Sequence, residues 1–304
     1  MRTQLLRVQP ALPELWPDSD LSQRWTERRH SWRRTADGGF DRRRYEALPV
    51  PEREAKPFVV AHHYEGTYPA ARFAYGLHEG GRLVGVAVLS VPAHARVLTG
   101  VFPRLRPYAE SLELGRLVLL DEVPANGESW FVARVLTLAR AEGVRGVVTF
   151  SDPVPRAAAD GRPVLRGHVG IVYQASNAVY LGRGARRTLV VLPDGSVLNE
   201  RALAKVRNDE RGHAYVERRL SAFGARPRRP AEPGREWLAT ALRSTGARLL
   251  RHGGCHRFAF RARPAGEPGS AWIAMPALPY PKHPDAPSAS ALPVAAALPT
   301  QEIA

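Results

Sequence analysis

The residues best equipped for chemistry are the pair His62-His63 with Tyr64, Arg116 in LELGRLVLL, Asn126, Gly127 and Ser129 in DEVPANGES, Asp152 after VVTFS, and Tyr173, Gln174 and Asn177 in GIVYQASN. Histidine, aspartate and tyrosine hold and move protons. Arginine grips anions through a planar fork, and a side-chain amide can pair with the edge of adenine. The chain has no Walker loop, GxGxxG, HExxH or GxSxG motif, which argues against ordinary nucleotide hydrolases, dinucleotide-binding dehydrogenases, zincins and α/β-hydrolases. One cysteine, Cys255, rules out an intramolecular disulfide and a cysteine-rich zinc site. It reads as a small buried residue.

These residues need a scaffold, and the patterning supplies one. FVVAHHYEG, from Phe58, reads as a strand running into a loop; Arg82–Val91 and Leu112–Leu120 read as further strands. Glu128–Glu142 carries Phe131, Val132, Val135, Leu136 and Ala139 at helical spacing and stops at Gly143. Val144–Phe150 is the next strand, so strand, helix and strand imply a right-handed crossover with parallel pairing. The helix N-terminus at Asn126-Gly127 would offer backbone N–H groups to a phosphate, carboxylate or oxyanion, with Gly127 permitting close approach. Asp152 would stand at the carboxyl end of the sheet, where open α/β sheets bind ligands. Residues 168–182 read as a short strand, a helical turn and a second strand, Thr188–Leu192 with Pro193-Asp194-Gly195 as a hairpin, 199–223 as helical, Glu236–Thr245 as a helix, and HRFAFRA as a strand.

The expected fold class is α/β, a mixed central sheet flanked by helices. Residues 1–55 form a basic extension in which Trp25 and Trp32 lie among arginines, either to grip nucleic acid or to dock as an amphipathic helix; 56–283 form the catalytic domain; 284–304 form a disordered tail. The 44 Lys and Arg against 29 Asp and Glu give a formal charge of +15, which attracts polyanions. The same richness in Arg, Ala, Pro and Gly also follows from a G+C-rich genome. No apolar run approaches the roughly 20 residues that span a bilayer, and the proline-broken N-terminus lacks a signal-peptide core, so a cytoplasmic protein without a membrane partner is expected.

In order, HHYEG, ELGRLVL, NGESWF, VVTFSD, GxxYQASN, HRF and LPYPK resemble the Mom proteins of phages, a divergent branch of the GNAT acyltransferase superfamily; the resemblance covers roughly residues 56–283. It implies a GNAT-like fold and modification of adenine at its exocyclic N6 amine in DNA, which protects the DNA from restriction. Carried over by position, His63 and Tyr64 match the upstream His-Tyr, Arg116 the arginine after Glu-Leu-Gly, Asp152 the strand-end aspartate, and Tyr173 and Asn177 the last motif. The stretch 124–129 departs from the usual GNAT pyrophosphate loop: the leading cation is absent and Glu128 would repel a diphosphate, so acetyl-CoA is only one candidate acyl donor.

The expected catalytic set is Asp152 as base or amine-orienting group, Tyr173 as general acid and Ser129 as a donor-holding residue. Asn126, Gly127 and Arg116 would hold the cofactor, and Asn177, Tyr64 and Gln174 the substrate. His63, with Asp152 and Tyr173, makes an oxygen-and-nitrogen set suited to iron. The duplex hides the amine, so base flipping or a single-stranded substrate is expected. Two rival readings are a GNAT N-acetyltransferase acting on a small amine, a protein or charged tRNA, and a non-catalytic nucleic-acid-binding module.

Overall fold

The computed structural model describes residues 21–26, 29–34, 39–285 and 292–293, with side chains over 39–285. Its elements, in chain order, begin with β1 (Leu21–Thr26), β2 (Arg29–Arg34), β3 (Tyr45–Pro49), α1 (Glu52–His62), β4 (Ala71–Glu79), β5 (Arg82–Ser90), α2 (Arg96–Thr99) and β6 (Ser111–Leu119). There follow α3 (Gly127–Ala141), β7 (Gly146–Ser151), β8 (Arg156–Ala157), β9 (Pro163–Leu165), α4 (Ile171–Ala175), β10 (Val179–Arg183), β11 (Arg187–Val191) and β12 (Val197–Leu198). Helices α5 (Glu200–Arg207), α6 (Ala214–Ser221) and α7 (Gly234–Ser244) and strands β13 (Arg248–His252), β14 (His256–Arg261) and β15 (Leu292–Pro293) complete the chain.

Two compact units emerge, and the 56–283 stretch contributes to both. The first comprises 1–151, 168–182 and 256–283. Its seven-stranded sheet runs β10-β14-β7-β6-β5-β4-β3 and is mixed, as expected, because β6 and β7 pair in parallel across the α3 crossover while β14–β7, β6–β5, β5–β4 and β4–β3 are antiparallel. Strand β5 is almost wholly buried because both of its faces are covered. Val84, Ala87 and Leu89 join Phe131, Val132, Val135 and Ala139 of α3 in one cluster, while Val86 and Val88 pack with Ala55 and Val59 of α1 in another. Burial of each such side chain contributes roughly 1.5–3 kcal/mol.

The segment expected as a strand from Phe58 is instead the second half of α1. Glu52 and Glu54 in the first turn favour the helix N-terminus, and Ala55 and Val59, four residues apart, supply the buried stripe that the Phe-Val-Val run obscured. Likewise the short strand expected near residue 170 is α4, and 199–223 is two helices divided by Asp209–His213, with left-handed backbone at Asp209 and Gly212. Strands β1 and β2, residues 21–26 and 29–34, pair antiparallel, an arrangement the arginine-tryptophan pattern did not suggest. Their side chains, and most of the 284–304 segment expected to be disordered, lie outside the described residues.

The second unit comprises 152–167, 183–255 and 284–304. A four-stranded sheet, β12-β11-β13-β15, accompanies a helical cluster in which Trp237, fully buried, packs with Leu203, Val206, Val216 and Leu220. The Pro153–Arg166 segment folds as the β8–β9 hairpin.

Candidate functional site

Strands β6 and β7 share rungs from Ser111↔Gly146 to Leu114↔Thr149 and then part. At that rung Thr149 donates its hydroxyl to the Leu114 carbonyl at 3.0 Å. Immediately beyond it β6 bulges: Leu114 faces Leu89 and Arg116 faces Val88, leaving Gly115 as the extra residue. A Cβ on Gly115 would collide with the Ser90 hydroxyl, so a larger residue there would force Ser90 to move. The bulge resets the side-chain alternation. Leu112 and Leu114 before it and Leu117 and Leu119 after it all join the cluster containing α3, whereas Val118 joins the one containing α1. Glu113 and Arg116 thereby share the α1 face.

Arg116 is gripped on that face. Its guanidinium donates to the Thr67 carbonyl (3.1 Å) and hydroxyl (2.8 Å), to the Gly115 carbonyl (2.6 Å) and to the Glu65 carboxylate (2.5 Å). Glu113 makes no matching ion pair among the described residues. Burial, only partly offset by Arg116 and reinforced by the negative charge of Glu65, pushes its carboxyl up to about 7. His63, in the turn that ends α1, accepts the Glu65 backbone N–H at Nδ1 (3.2 Å), which leaves the ring proton on Nε2. Burial, then Arg116 and His168, hold this imidazole neutral by keeping its pKa well below the ordinary value. Tyr64 stacks on it with ring centroids 4.3 Å apart.

Tyr173 enters from the opposite face. Its ring packs on Phe258 and Phe260, and its phenol is hydrogen-bonded with Thr149 at the last shared rung. Burial raises its pKa, so the phenol keeps its proton at neutral pH; Glu113 and Arg116 act on it in opposite senses. Gln174, next to it, is committed to structure, since its amide donates to the carbonyls of Val169 (2.9 Å) and Pro281 (3.2 Å).

A cleft of about 620 Å³ opens beside α3, lined among others by Phe40, Arg42, Asn126, Ser129, Trp130 and Asn177. The three sequence-expected residues Asn126, Ser129 and Asn177 are thus brought together. Asn126 and Asn177 both hold left-handed backbone, φ 73° and 59°. At Asn177 this is the ordinary conformation of a residue closing a helix, whereas Asn126 makes no capping bond with its side chain. Gly127 serves packing: a Cβ there would lie 2.5 Å from Val123 and 3.3 Å from Phe40. Ser129 donates to the Asn126 carbonyl at 3.1 Å. Arg42 supplies from before β3 the cation that the α3 loop lacks. The volume suits a small ligand.

Asp152 belongs to the second unit, where its carboxylate is fully engaged. It accepts from Arg156 (2.5 Å), from the Val154 backbone N–H (2.9 Å) and from His252 Nε2 (2.9 Å). Gly254 N–H donates to His252 Nδ1 at 3.0 Å, so the imidazole proton must lie on Nε2, toward Asp152. Burial alone would raise the Asp152 pKa, but His252 and Arg156 outweigh it and hold the carboxyl well below the usual range. With Cys255, these side chains form the group best placed to hold a metal among the described residues, their donor atoms lying within 4.8 Å of one another. The fit to a cation is poor. Arg156 and Arg187 already sit on the two potentially anionic donors, and the histidine nitrogen facing Asp152 carries a proton.

Sequence reasoning did not foresee the raised carboxyl of Glu113 or the contacts of Glu65, Thr67, Thr149 and His168 around it. The available signal was Gly115 inside a strand, which announces a bulge and hence a changed alternation.

Parted parallel strands, with a ligand-sized cleft beside a helix N-terminus, define a mixed α/β protein. The model of the Mom protein family matches residues 44–229, more than half the chain, and the chain belongs to that family. No curated protein matches. Among solved structures, the chain is similar to a tandem GNAT protein from the clavulanic acid biosynthesis pathway, without AcCoA; identity is 14%, the match covers 69% of this chain and 72% of that one, and the TM-score is 0.31. No helix among the described residues is long and apolar enough to cross a membrane.

Proposed function

We propose that this chain transfers a small acyl-type group to the exocyclic N6 amine of adenine in DNA, with Glu113 as general base and Tyr173 as general acid. The observation that carries this reading is the cluster of Glu113, Arg116 and Tyr173 where β6 and β7 part. Membership of the Mom family supports DNA as the substrate.

Adenine's amine is a weak nucleophile because its lone pair is delocalised, so its proton must leave as the new bond forms. A carboxyl poised near 7 is half ionised at neutral pH, which suits that transfer. The N6–acyl bond forms as the acyl carbon's bond to its leaving group breaks. The nitrogen's proton passes to the Glu113 carboxylate, and the Tyr173 phenol gives its proton to the departing group. Proton exchange from Glu113 back to the phenolate resets the site, with the Arg116 charge stabilising the phenolate meanwhile. The donor, when bound, supplies the activated acyl carbon; Arg42, Asn126 and Ser129 of the cleft would hold it. Asn177 reads the base edge, and His63 with Tyr64 gives it a flat wall.

The test is mass spectrometry of nucleosides from DNA of cells expressing the wild type, Glu113→Gln or Tyr173→Phe. A heavier deoxyadenosine is expected with the wild type and a loss of roughly 10²-fold or more with each variant. Unmodified DNA with the wild type would sink the proposal in favour of an acyltransferase acting on a small amine, a protein or charged tRNA.

A further inference from the structure

Positive charge is unevenly spread. Residues 152–167 and 183–255 of the second unit carry 19 Lys and Arg against 9 Asp and Glu, an excess of ten within a chain whose formal charge is +15. Most of the acids near the turn between α5 and α6 are already matched. Asp209 and Glu217 take Arg228, Glu210 takes Arg201 at 2.7 Å, and Glu232 takes Arg226. Lys205, Arg211, Arg229 and Arg235 are left without an ion pair among the described residues.

Packing draws these four toward one region. The Lys205 ammonium lies over Gly212, 3.5 Å from where a side chain would begin, beside Arg211. The Arg228 bridges to Asp209 and Glu217 hold the Ala225–Arg235 linker, and with it Arg229, against the α5–α6 turn. Gly234 abuts the Val206 carbonyl so closely that no side chain fits, which seats the start of α7, and Arg235, on the end of α5. Arg211, Arg229 and Arg235 are exposed, and Lys205 is half-buried. On α6 the exposed Tyr215 carries Arg219 over its ring, 5.9 Å from the centroid, with Arg218 one turn along.

We infer that the α5–α6 turn, the Ala225–Arg235 linker and the start of α7 form a docking surface for the phosphate backbone of duplex DNA, independent of base sequence. The inference rests on DNA being the substrate. Four cations that form no ion pair among the described residues, held on a scaffold by paired ones, suit a regular polyanion; each phosphate they neutralise releases counterions. A surface of this kind supplies affinity and leaves base choice to the site in the first unit.

The experiment uses the full chain and a labelled 30-base-pair duplex, with binding followed by fluorescence anisotropy over a range of salt. The variant combines Lys205→Gln, Arg211→Gln, Arg229→Gln and Arg235→Gln. Its control makes four charge-removing changes in the first unit, Arg53→Gln, Arg72→Gln, Arg96→Gln and Arg140→Gln, all at exposed arginines. The slope of log K against log salt should fall by about 3–4 in the variant, with at least roughly tenfold weaker binding near 0.1 M salt, and stay unchanged in the control. An unchanged slope in the variant, or an equal loss in the control, overturns the inference. Failure of the wild type to bind duplex DNA would instead strike the DNA reading itself. Circular dichroism checks that both variants fold, and a variant that unfolds is replaced by the four single changes, each expected to lower the slope by about 0.9.

Discussion

Two carboxylates, a half-buried one in the first unit and a buried one in the second, are treated in opposite ways. Glu113 lies close to Arg116, yet that guanidinium is spent on Glu65, Thr67 and a carbonyl, so burial prevails and the acid is pushed up to about 7. Asp152 is buried, but Arg156, His252 and a backbone N–H all point at it, and it stays ionised far below the usual range. Burial alone therefore does not decide what a carboxylate can do; the distribution of its neighbours' hydrogen bonds does. A group that holds its proton weakly near neutrality can pass it on, whereas a saturated anion is a poor base and a good structural fixture.

The sharpest way to break this comparison is to remove each charge. Glu113→Gln should lower product formation by roughly 10²–10⁴-fold while leaving the protein folded. Arg156→Ala, which strips Asp152 of its closest cation, should instead cost about 3–5 kcal/mol of stability in urea unfolding. If the two variants exchanged these effects, the assignment of roles would be reversed.

A smaller effect separates the two acids by pH. An acid whose folded pKa is raised binds protons more tightly when folded, so Glu113 stabilises fully below its unfolded value of 4.5, and that contribution is lost as pH climbs through about 7. Thermal melting should show Glu113→Gln gaining on the wild type between about pH 4.5 and 7 and holding its advantage above. Asp152 runs the other way: its pKa is depressed, so its contribution is present above 3.8 and lost as pH falls further. An Asp152→Asn variant should lack that acid-side loss.

The smallest expected effect concerns the bulge. Gly115→Ala must push against Ser90 and should cost about 1–3 kcal/mol. The same variant should lose product formation beyond what its stability explains, because Glu113 and Arg116 flank the displaced residue. A rate that simply tracks the folded fraction would mean that the bulge does not position the acid.

The sheet and its crossover were legible because β5, β6 and β7 are strongly apolar and α3 has a clean helical stripe ending at Gly143. Helix α1 was hidden because Phe58, Val59 and Val60 imitate a strand, and tertiary packing on Val86 and Val88 decides the matter. Arg116 was noticed but not its partners, since Glu65 and Thr67 lie far from it in sequence. Asp152 stood out as a strand-end acid, yet nothing local announced His252, 100 residues away. Asn126, Ser129 and Asn177 line one cleft, and the cation in its lining, Arg42, came from a segment read only as a basic extension.

Gly115 has one further consequence. Because Leu114 already faces Leu89 and Arg116 already faces Val88, a strand shortened by that single residue would pair without interruption and still send every leucine to its present side. The pattern of inside and outside closes perfectly well without it. What the extra residue adds is length and a local twist, a spacer inserted between an acid and a base, and the chain carries it at the place where two strands go their separate ways.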